Sequence, residues 1–334
     1  MNLQLIVLFS VFWIFVNSQL NFKRWQTKYN ISYLPNDKEF NRSRQTFDVS
    51  VSFVTVNKLR FKFGYELGLN GLADLPFQQF QKTHNGLVLP NTLERGDQII
   101  NFSDEEHLVT LRARADVPGS VDYRNYSLPV QNQKICNSCW AFSVVEALEI
   151  KLKMKNPKFN TLLSAQYVVD CDTFNYGCIG GWPTSAFNWI ARNGGNAVPS
   201  TINYPYFGYK MRCRSTPKIA MNIKATVQDY TAGNENMMKE IVANAGPIVV
   251  AFHATFYFQL YSSGIFYDQT CDNRCVVANH AIVIVGYGTD STTNTDYWII
   301  KNSWGTSWGE GGYGYIARNK GNQCNIACWA MYTL

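Results

Sequence analysis

All nine cysteines of this 334-residue chain lie between Cys136 and Cys328, and the 135 residues before them contain none. That split constrains the fold more than any other feature, because a disulfide framework can brace only the second part. Whether the thiols pair depends on the compartment. Residues 3–16 (LQLIVLFSVFWIFV) form an uncharged apolar core, and Val16 and Ser18 put small residues at the −3 and −1 positions of a cleavage site after Ser18. The run is shorter than the ~20 residues a spanning helix needs, so residues 1–18 read as a signal peptide and not an anchor. No later segment is apolar enough to span. An oxidising secretory route favours disulfides, and an odd count leaves one thiol free. Sequons at Asn30, Asn41, Asn101 and Asn125 suit the same route. The net charge is +6, but Lys and Arg are scattered. The densest basic run, residues 151–158 (KLKMKNPK), reads as a solvated helix face, so no nucleic-acid partner is expected.

The two parts differ in texture. Residues 38–63 are expected to be mainly helical, with Phe40, Phe47, Val51, Val54 and Leu59 approximating one face. Residues 64–75 (GYELGLNGLADL) break that pattern with three glycines. Residues 112–117 (RARADV), just before Pro118, read as an exposed linker and cleavage region. Beyond it, Ser138 is placed to cap a helix from about Cys139 to Lys155. Ala141, Val144, Val145, Leu148 and Leu152 share one face of that helix, and Glu149 and Lys153 make an i,i+4 pair on the other. Strands are expected at 247–254 (PIVVAFHA), 280–288 (HAIVIVGYG), 296–303 (DYWIIKNS) and 312–319 (GYGYIARN). The second part therefore has a helical first half and a β-rich second half.

Three segments carry chemistry. In 131–143 (QNQKICNSCWAFS), Cys139 stands just inside a helix start, where unsatisfied N–H groups and the positive dipole end stabilise a thiolate. Taken alone it reads more readily as a structural cysteine. His280 opens an apolar strand pattern, and alone it reads as a core histidine. In 297–313 (YWIIKNSWGTSWGEGGY), Asn302 can accept from one imidazole nitrogen and leave the other facing sulfur, with Trp304 shielding that bond from water.

Taken together, these three blocks resemble the signature segments of papain-like cysteine peptidases. His280 follows Cys139 by 141 residues and Asn302 follows His280 by 22. The resemblance covers about residues 117–334. It implies an α+β, two-lobed fold: a helical lobe and a β-barrel-like lobe meeting at a cleft, preceded by a mainly helical propeptide. By position it makes Cys139 the nucleophile, His280 the general base and then acid, Asn302 the orienter and Gln133 an oxyanion donor, with the Cys139 N–H as the second donor. The implied domains are a signal peptide (1–18), an inhibitory propeptide (19–116) and a catalytic domain (117–334). Departures from the family pattern are Lys134 and Asn137 where Gly is usual, and Tyr123 where Trp is usual. Asn137 is expected to stand in for glycine's backbone freedom and to border the cleft.

In the first part, Gly68, Asn70, Leu72 and Asp74 match the family's Gly-x-Asn-x-Phe-x-Asp propeptide motif, with Leu in place of Phe. Glu39, Phe47 and Val54 keep part of its helix pattern, while Ser43, Ser50 and Lys58 depart from it. The resemblance implies a strand occluding the cleft until acid weakens it, with carboxylates such as Asp74 losing their pairs on protonation. The chain lacks an adjacent His pair and its propeptide lacks cysteine, the devices of exopeptidase relatives. Endopeptidase action follows, on protein or peptide substrates, in a lysosome, vacuole or outside the cell. A catalytically silent papain-like binding protein is the alternative. Cystatin-like inhibitors and a monomeric state complete the implied partners.

The family pattern also implies disulfides Cys136–Cys178, Cys171–Cys213 and Cys271–Cys324, leaving Cys275 with Cys328. The exchange Cys271–Cys328 with Cys275–Cys324 stays open. A four-thiolate zinc site from these four is disfavoured by an oxidising space, so no metal or other cofactor is expected. For the second substrate subsite the matching positions are Trp182, Pro183, Ala251, Ala278 and Ala281, with Gly181 offering backbone hydrogen bonds. Trp329 either fills the floor of that pocket, favouring Val, Leu or Pro over Phe or Arg, or turns into the core beside Cys328.

Overall fold

The computed structural model describes residues 21–33, 38–60, 64–89, 117–224 and 226–334. The signal-peptide segment, most of the 112–117 junction and the Asn101 sequon lie outside the described residues. In the N-terminal region, helix α1 (21–29) crosses α2 (Lys38–Arg60) through Phe22, Trp25 and Phe47, whose ring centroids lie 5.1–5.7 Å apart. On the expected face of α2, Phe47 and Val54 are buried, and Phe40 and Val51 pack against the same core; the side chain of Leu59 lies outside the described residues. The polar departures on this helix are also used. Ser43 is buried, and Ser50 Oγ donates to the Ala73 carbonyl at 2.6 Å.

Strand β1 (Tyr65–Leu67) then joins the large sheet by pairing antiparallel with a strand of the second part. Helix α3 (Phe77–His84) follows and ends at the cleft. The motif residues make the docking contacts. Asn70, buried, donates Nδ2 to the Gln259 carbonyl at 2.8 Å and accepts from the Leu72 amide at 2.9 Å. Gln259 returns Nε2 to the carbonyls of Leu72 and Leu75. Tyr33 donates its hydroxyl to Asp74.

The second part opens with β2 (Val121–Asp122). Helices α4 (Cys139–Lys155), α5 (Ala165–Cys171) and α6 (Pro183–Arg192) follow, with a small ribbon of β3 (Ala197–Val198) and β4 (Ile219–Ala220). The rest is β5 (Thr226–Tyr230), α7 (Glu235–Ala245), β6 (Ile248–Phe252), α8 (Phe256–Gln259), β7 (Tyr261–Phe266), β8 (His280–Asp290), β9 (Thr295–Lys301), β10 (Tyr313–Ala317) and β11 (Trp329–Thr333). The sheet order is β1-β7-β10-β9-β8-β6-β11-β5, with β2 on β8. Among these neighbours only β10 and β7 run parallel.

The apolar runs of β6 and β8 are unbroken because both faces are covered. Val249, Ala251, Ala281, Val283 and Val285 face the helical lobe, while Ile248, Val250, Phe252, Ile282 and Ile284 face the β lobe and the N-terminal region. Helix α4 is sandwiched in the same way and is buried from Cys139 through Ile150. This corrects the expectation of an exposed Glu149–Lys153 pair. Glu149 is buried, accepts from the Leu163 amide at 2.6 Å, and shares its surroundings with Glu146 and Lys301. Burial pushes the Glu149 carboxyl up to about 8, against the pull of Lys301. Lys151 also leaves the expected solvated face, donating Nζ to the Thr333 carbonyl.

Disulfides join Cys136 to Cys178 and Cys171 to Cys213 in the helical lobe. Of the two pairings open in the β lobe, the structure holds Cys271–Cys324 and Cys275–Cys328, which consumes the four thiols of the zinc alternative.

Candidate active site

Cys139 is the one free cysteine, and it begins α4 with its side chain buried. Ser138 occupies the cap position, yet its side chain makes no cap hydrogen bond; the amides of Ala141 and Phe142 bond to its carbonyl. The backbone groups of Ala281, Gly86, Trp140 and Cys139 itself are turned on the sulfur and favour a thiolate. Burial outweighs them and pushes the thiol up to about 11.

His280 begins β8, so the strand that carries it lies directly against the helix that carries the sulfur. Its Nε2 lies 2.9 Å from Asn302 Oδ1. Asn302 is an acceptor through that oxygen, so Nε2 carries the proton and Nδ1, which has no hydrogen-bond partner, is the free nitrogen. The indole of Trp304 stacks on the imidazole with centroids 4.5 Å apart and keeps water from the Asn302 bond. Burial holds the imidazole down to about 4, although Asn302 and the His84 backbone favour its charged form.

Gln133 is fully buried. Its Oε1 accepts from Ser303 Oγ at 2.7 Å, which turns Nε2 toward the cleft. Nε2 donates to the Cys136 carbonyl at 2.9 Å and to the His84 carbonyl at 3.2 Å. The second contact belongs to the first part of the chain: residues 84–89 run through the cleft. The Gly181 amide donates to the Gly86 carbonyl at 2.9 Å and the Val88 amide to the Gly181 carbonyl at 3.0 Å, in a parallel bridge. The Leu87 amide donates to Asn279 O at 3.1 Å. A side chain at position 86 would put its Cβ 2.1 Å from the Asn137 carbonyl oxygen, so glycine there permits the close approach. His84 is buried with its ring stacked on Phe80 and edge-on to Trp304. Burial, and then the charge of His280, lower it to about 3.

The sequence-named subsite residues gather around the same segment. Leu87, Trp182, Ala251, Ala278, Ala281 and Trp329 belong to one apolar cluster, and Ala251 pairs directly with Ala281 between β6 and β8. Pro183 starts α6 beside them. Trp329 packs on Tyr230 at 4.4 Å and meets Trp182 edge-on at 6.0 Å, with its indole N–H 3.5 Å from the Cys275 carbonyl. It therefore faces the inter-lobe cluster and also lies beside the Cys275–Cys328 bridge.

With this geometry in place, known proteins supply the family. A model described as papain family cysteine protease matches residues 117–334. This chain belongs to that family. A second model, the cathepsin propeptide inhibitor domain, matches residues 22–80. The chain is 38% identical to mouse (Mus musculus) cathepsin K over 314 residues, 92% of this chain and 91% of that protein. Digestive procathepsin L2 proteinase from the larval midgut of Tenebrio molitor superposes with a TM-score of 0.84 at 33% identity, over 95% of this chain and 99% of that one. The recombinant stem bromelain precursor gives 0.80 at 33% identity, over 95% and 98%. The protein is a cysteine endopeptidase zymogen whose inhibitory segment precedes its papain-like domain.

One departure from the family pattern works differently from the sequence expectation. The left-handed backbone lies at Lys134 (φ 53°), not at Asn137. The Lys134 amide bonds to Asn132 Oδ1 at 2.8 Å, which helps hold a conformation that costs an L-residue roughly 1–2 kcal/mol. Asn137 does border the cleft, where its Nδ2 donates to the Lys82 carbonyl at 2.7 Å. Sequence reasoning missed Ser303, Asn279 and the part played by His84 and Gly86. The Asn-Gly pair just after α3 was the available signal, since such a pair marks a chain that must turn or approach backbone closely.

Proposed function

We propose that the mature enzyme cleaves peptide bonds with Cys139 as nucleophile, His280 as base and then acid, Asn302 as orienter, and Gln133 Nε2 with the Cys139 N–H as oxyanion donors. The observation that carries this reading is the His84 carbonyl, held by Gln133 beside the Cys139–His280 pair. The propeptide presents a carbonyl where a substrate would present one. The sulfur bonds to the scissile carbon, and the oxyanion accepts from the two donors. Collapse expels the amine, which takes the His280 proton and leaves a thioester. Water, giving a proton to His280, attacks that thioester; the carbon–sulfur bond breaks, releasing the acid and restoring thiolate and imidazolium.

In the precursor, burial under residues 84–89 keeps this pair as neutral thiol and neutral imidazole. Latency is then electrostatic as well as steric: rehydration of the cleft lets the ion pair form. The proposed processing is loss of 1–18 on secretion and loss of 19–116 in an acidic lysosome-like or extracellular space, giving a monomer of residues 117–334 open to cystatin-like inhibitors. The sequons at Asn30, Asn41 and Asn125 lie at exposed positions and suit that route. Leu87 marks the second subsite, walled by Trp182, Ala251, Ala278 and Ala281 and closed by Trp329, so Val, Leu or Pro should be preferred there over Phe or Arg.

The test is labelling of the acid-processed protein with the thiol-directed epoxide E-64, beside Cys139→Ser. Labelling and activity confined to the wild type are expected; equal labelling of the variant removes Cys139 from the mechanism. A cleavage profile dominated by Phe or Arg, unchanged in Trp329→Ala, removes Trp329 from the pocket.

A further inference from the structure

We propose that Tyr206 is a positioning residue that holds the two oxyanion donors, Gln133 and the start of α4, in register with each other. This rests on the donor assignment just given. The Tyr206 hydroxyl lies 2.7 Å from the Gln133 backbone carbonyl and 2.8 Å from Ser138 Oγ. A phenol has one proton, and a carbonyl can only accept, so that proton goes to Gln133. Ser138 Oγ also lies 3.3 Å from the Cys136 carbonyl, but the shorter contact takes its proton, so Ser138 donates to the phenol oxygen. The result is one directed chain, Ser138 to Tyr206 to Gln133, joining the residue before Cys139 to the residue that carries the side-chain donor. Burial keeps the phenol protonated throughout the working range, so the chain does not break with pH.

The cap explains what this arrangement achieves. A serine at this position normally accepts from the second or third helical amide and stabilises the helix by about 1 kcal/mol. Here Ser138 forgoes that bond and is committed to Tyr206. The Cys139 and Trp140 backbone is left free to favour the thiolate. Gln133 is already tied to the β lobe, its amide donating to the Ser303 carbonyl at 2.8 Å and its Oε1 accepting from Ser303 Oγ. Tyr206 supplies the tie on the helical-lobe side. Its ring packs edge-on against Phe142 at 4.8 Å, so Tyr206→Phe removes the hydroxyl and keeps the packing.

The experiment compares acid-processed wild type, Tyr206→Phe, Ser138→Ala and Gln133→Ala in three readouts. These are kcat and KM on a peptide substrate, the inhibition constant of a peptide aldehyde, and the rate of Cys139 alkylation by iodoacetamide. Alkylation displaces iodide and builds no oxyanion, so it reports the nucleophile alone. Losing a donor outright costs about 10²–10³ in rate, and loosening it should cost on the order of ten-fold. Tyr206→Phe is therefore expected to lower kcat about ten-fold with KM little changed, to weaken the aldehyde by the same factor, and to alkylate within about two-fold of wild type. Ser138→Ala should show the same pattern at smaller size. Unchanged kcat and aldehyde affinity in Tyr206→Phe overturn the inference, as does a parallel fall in alkylation, which would mean a general structural role. Full activity in Gln133→Ala would instead overturn the donor assignment beneath it.

Discussion

The two ends of the propeptide interface are built from different chemistry and respond oppositely to acid. At the anchor, around Asn70 and Asp74, the propeptide extends the sheet through β1 and exchanges hydrogen bonds with Gln259. Burial raises the Asp74 carboxyl from 3.8 to about 6 even though Tyr33 donates to it. A carboxyl raised by burial in the folded precursor binds its proton more tightly there than in the unfolded chain, so the anchor region gains stability as pH falls through 6 toward 3.8. At the cleft, His84 is lowered from 6.5 to about 3. The docked form of that group disfavours the proton, so docking weakens as pH falls below 6.5. The Asp74 shift thus runs opposite to the expectation of an acid trigger at that carboxylate, and the acid response is expected at His84 instead. Acid should open the cleft while the anchor still holds.

The strongest way to break this comparison is Gly86→Ala. The added Cβ would fall 2.1 Å from the Asn137 carbonyl oxygen, so the cleft segment must leave. The uncleaved precursor should then be labelled by E-64 at neutral pH on the order of a hundred-fold faster than wild type, since a backbone clash of this size has no cheap relief. Its propeptide should remain bound through the anchor; co-release of the whole segment would show that the ends do not act separately.

His84→Gln separates the two acid responses. At pH 5 the His84 shift alone should weaken cleft docking by ~30-fold relative to neutral pH. Removing it should lower the midpoint pH of self-processing by on the order of one unit. An unmoved midpoint would remove His84 from the acid response.

The smallest expected effect belongs to Asp74→Asn, which mimics the protonated anchor. The precursor should melt a few degrees higher than wild type at neutral pH, an increment of about 2–5 °C, with the gap closing as pH falls toward 3.8. A lower melting temperature at neutral pH would restore Asp74 as a stabilising charge.

How much of this was legible in the chain depended on whether a residue's partners were close in sequence. The span of α4 and the strands β6, β8, β9 and β10 could be read from local patterns, and the Cys139, His280 and Asn302 set through the resemblance of its three segments to the family's signature blocks. Glu149 could not, because its burial comes from Leu163 and from Lys301 on β9, and an i,i+4 lysine was the only partner in view. At Lys134 the only sign of a left-handed backbone was the glycine usual there in the family, and the freedom was assigned to Asn137 instead; the conformation is held by Asn132 within a turn. His84 was passed over, since nothing local says that the chain after it threads the cleft. β11 was missed although each of its residues is buried; its apolar residues follow a disulfide-rich turn that hides the strand pattern.

The absence of cysteine from the propeptide has a consequence for how activation becomes permanent. The papain-like domain is fastened by four disulfides, while the inhibitor is joined to it covalently only by the peptide chain. Before cleavage that chain keeps the inhibitor at an effective concentration on the order of millimolar, so even a weakened cleft strand returns to its place. One cut turns the tethered inhibitor into a separate molecule, diluted to the concentration of the enzyme itself. The same contacts then face a far smaller local excess, and a loss of affinity in acid that a tether would mask becomes enough to empty the cleft.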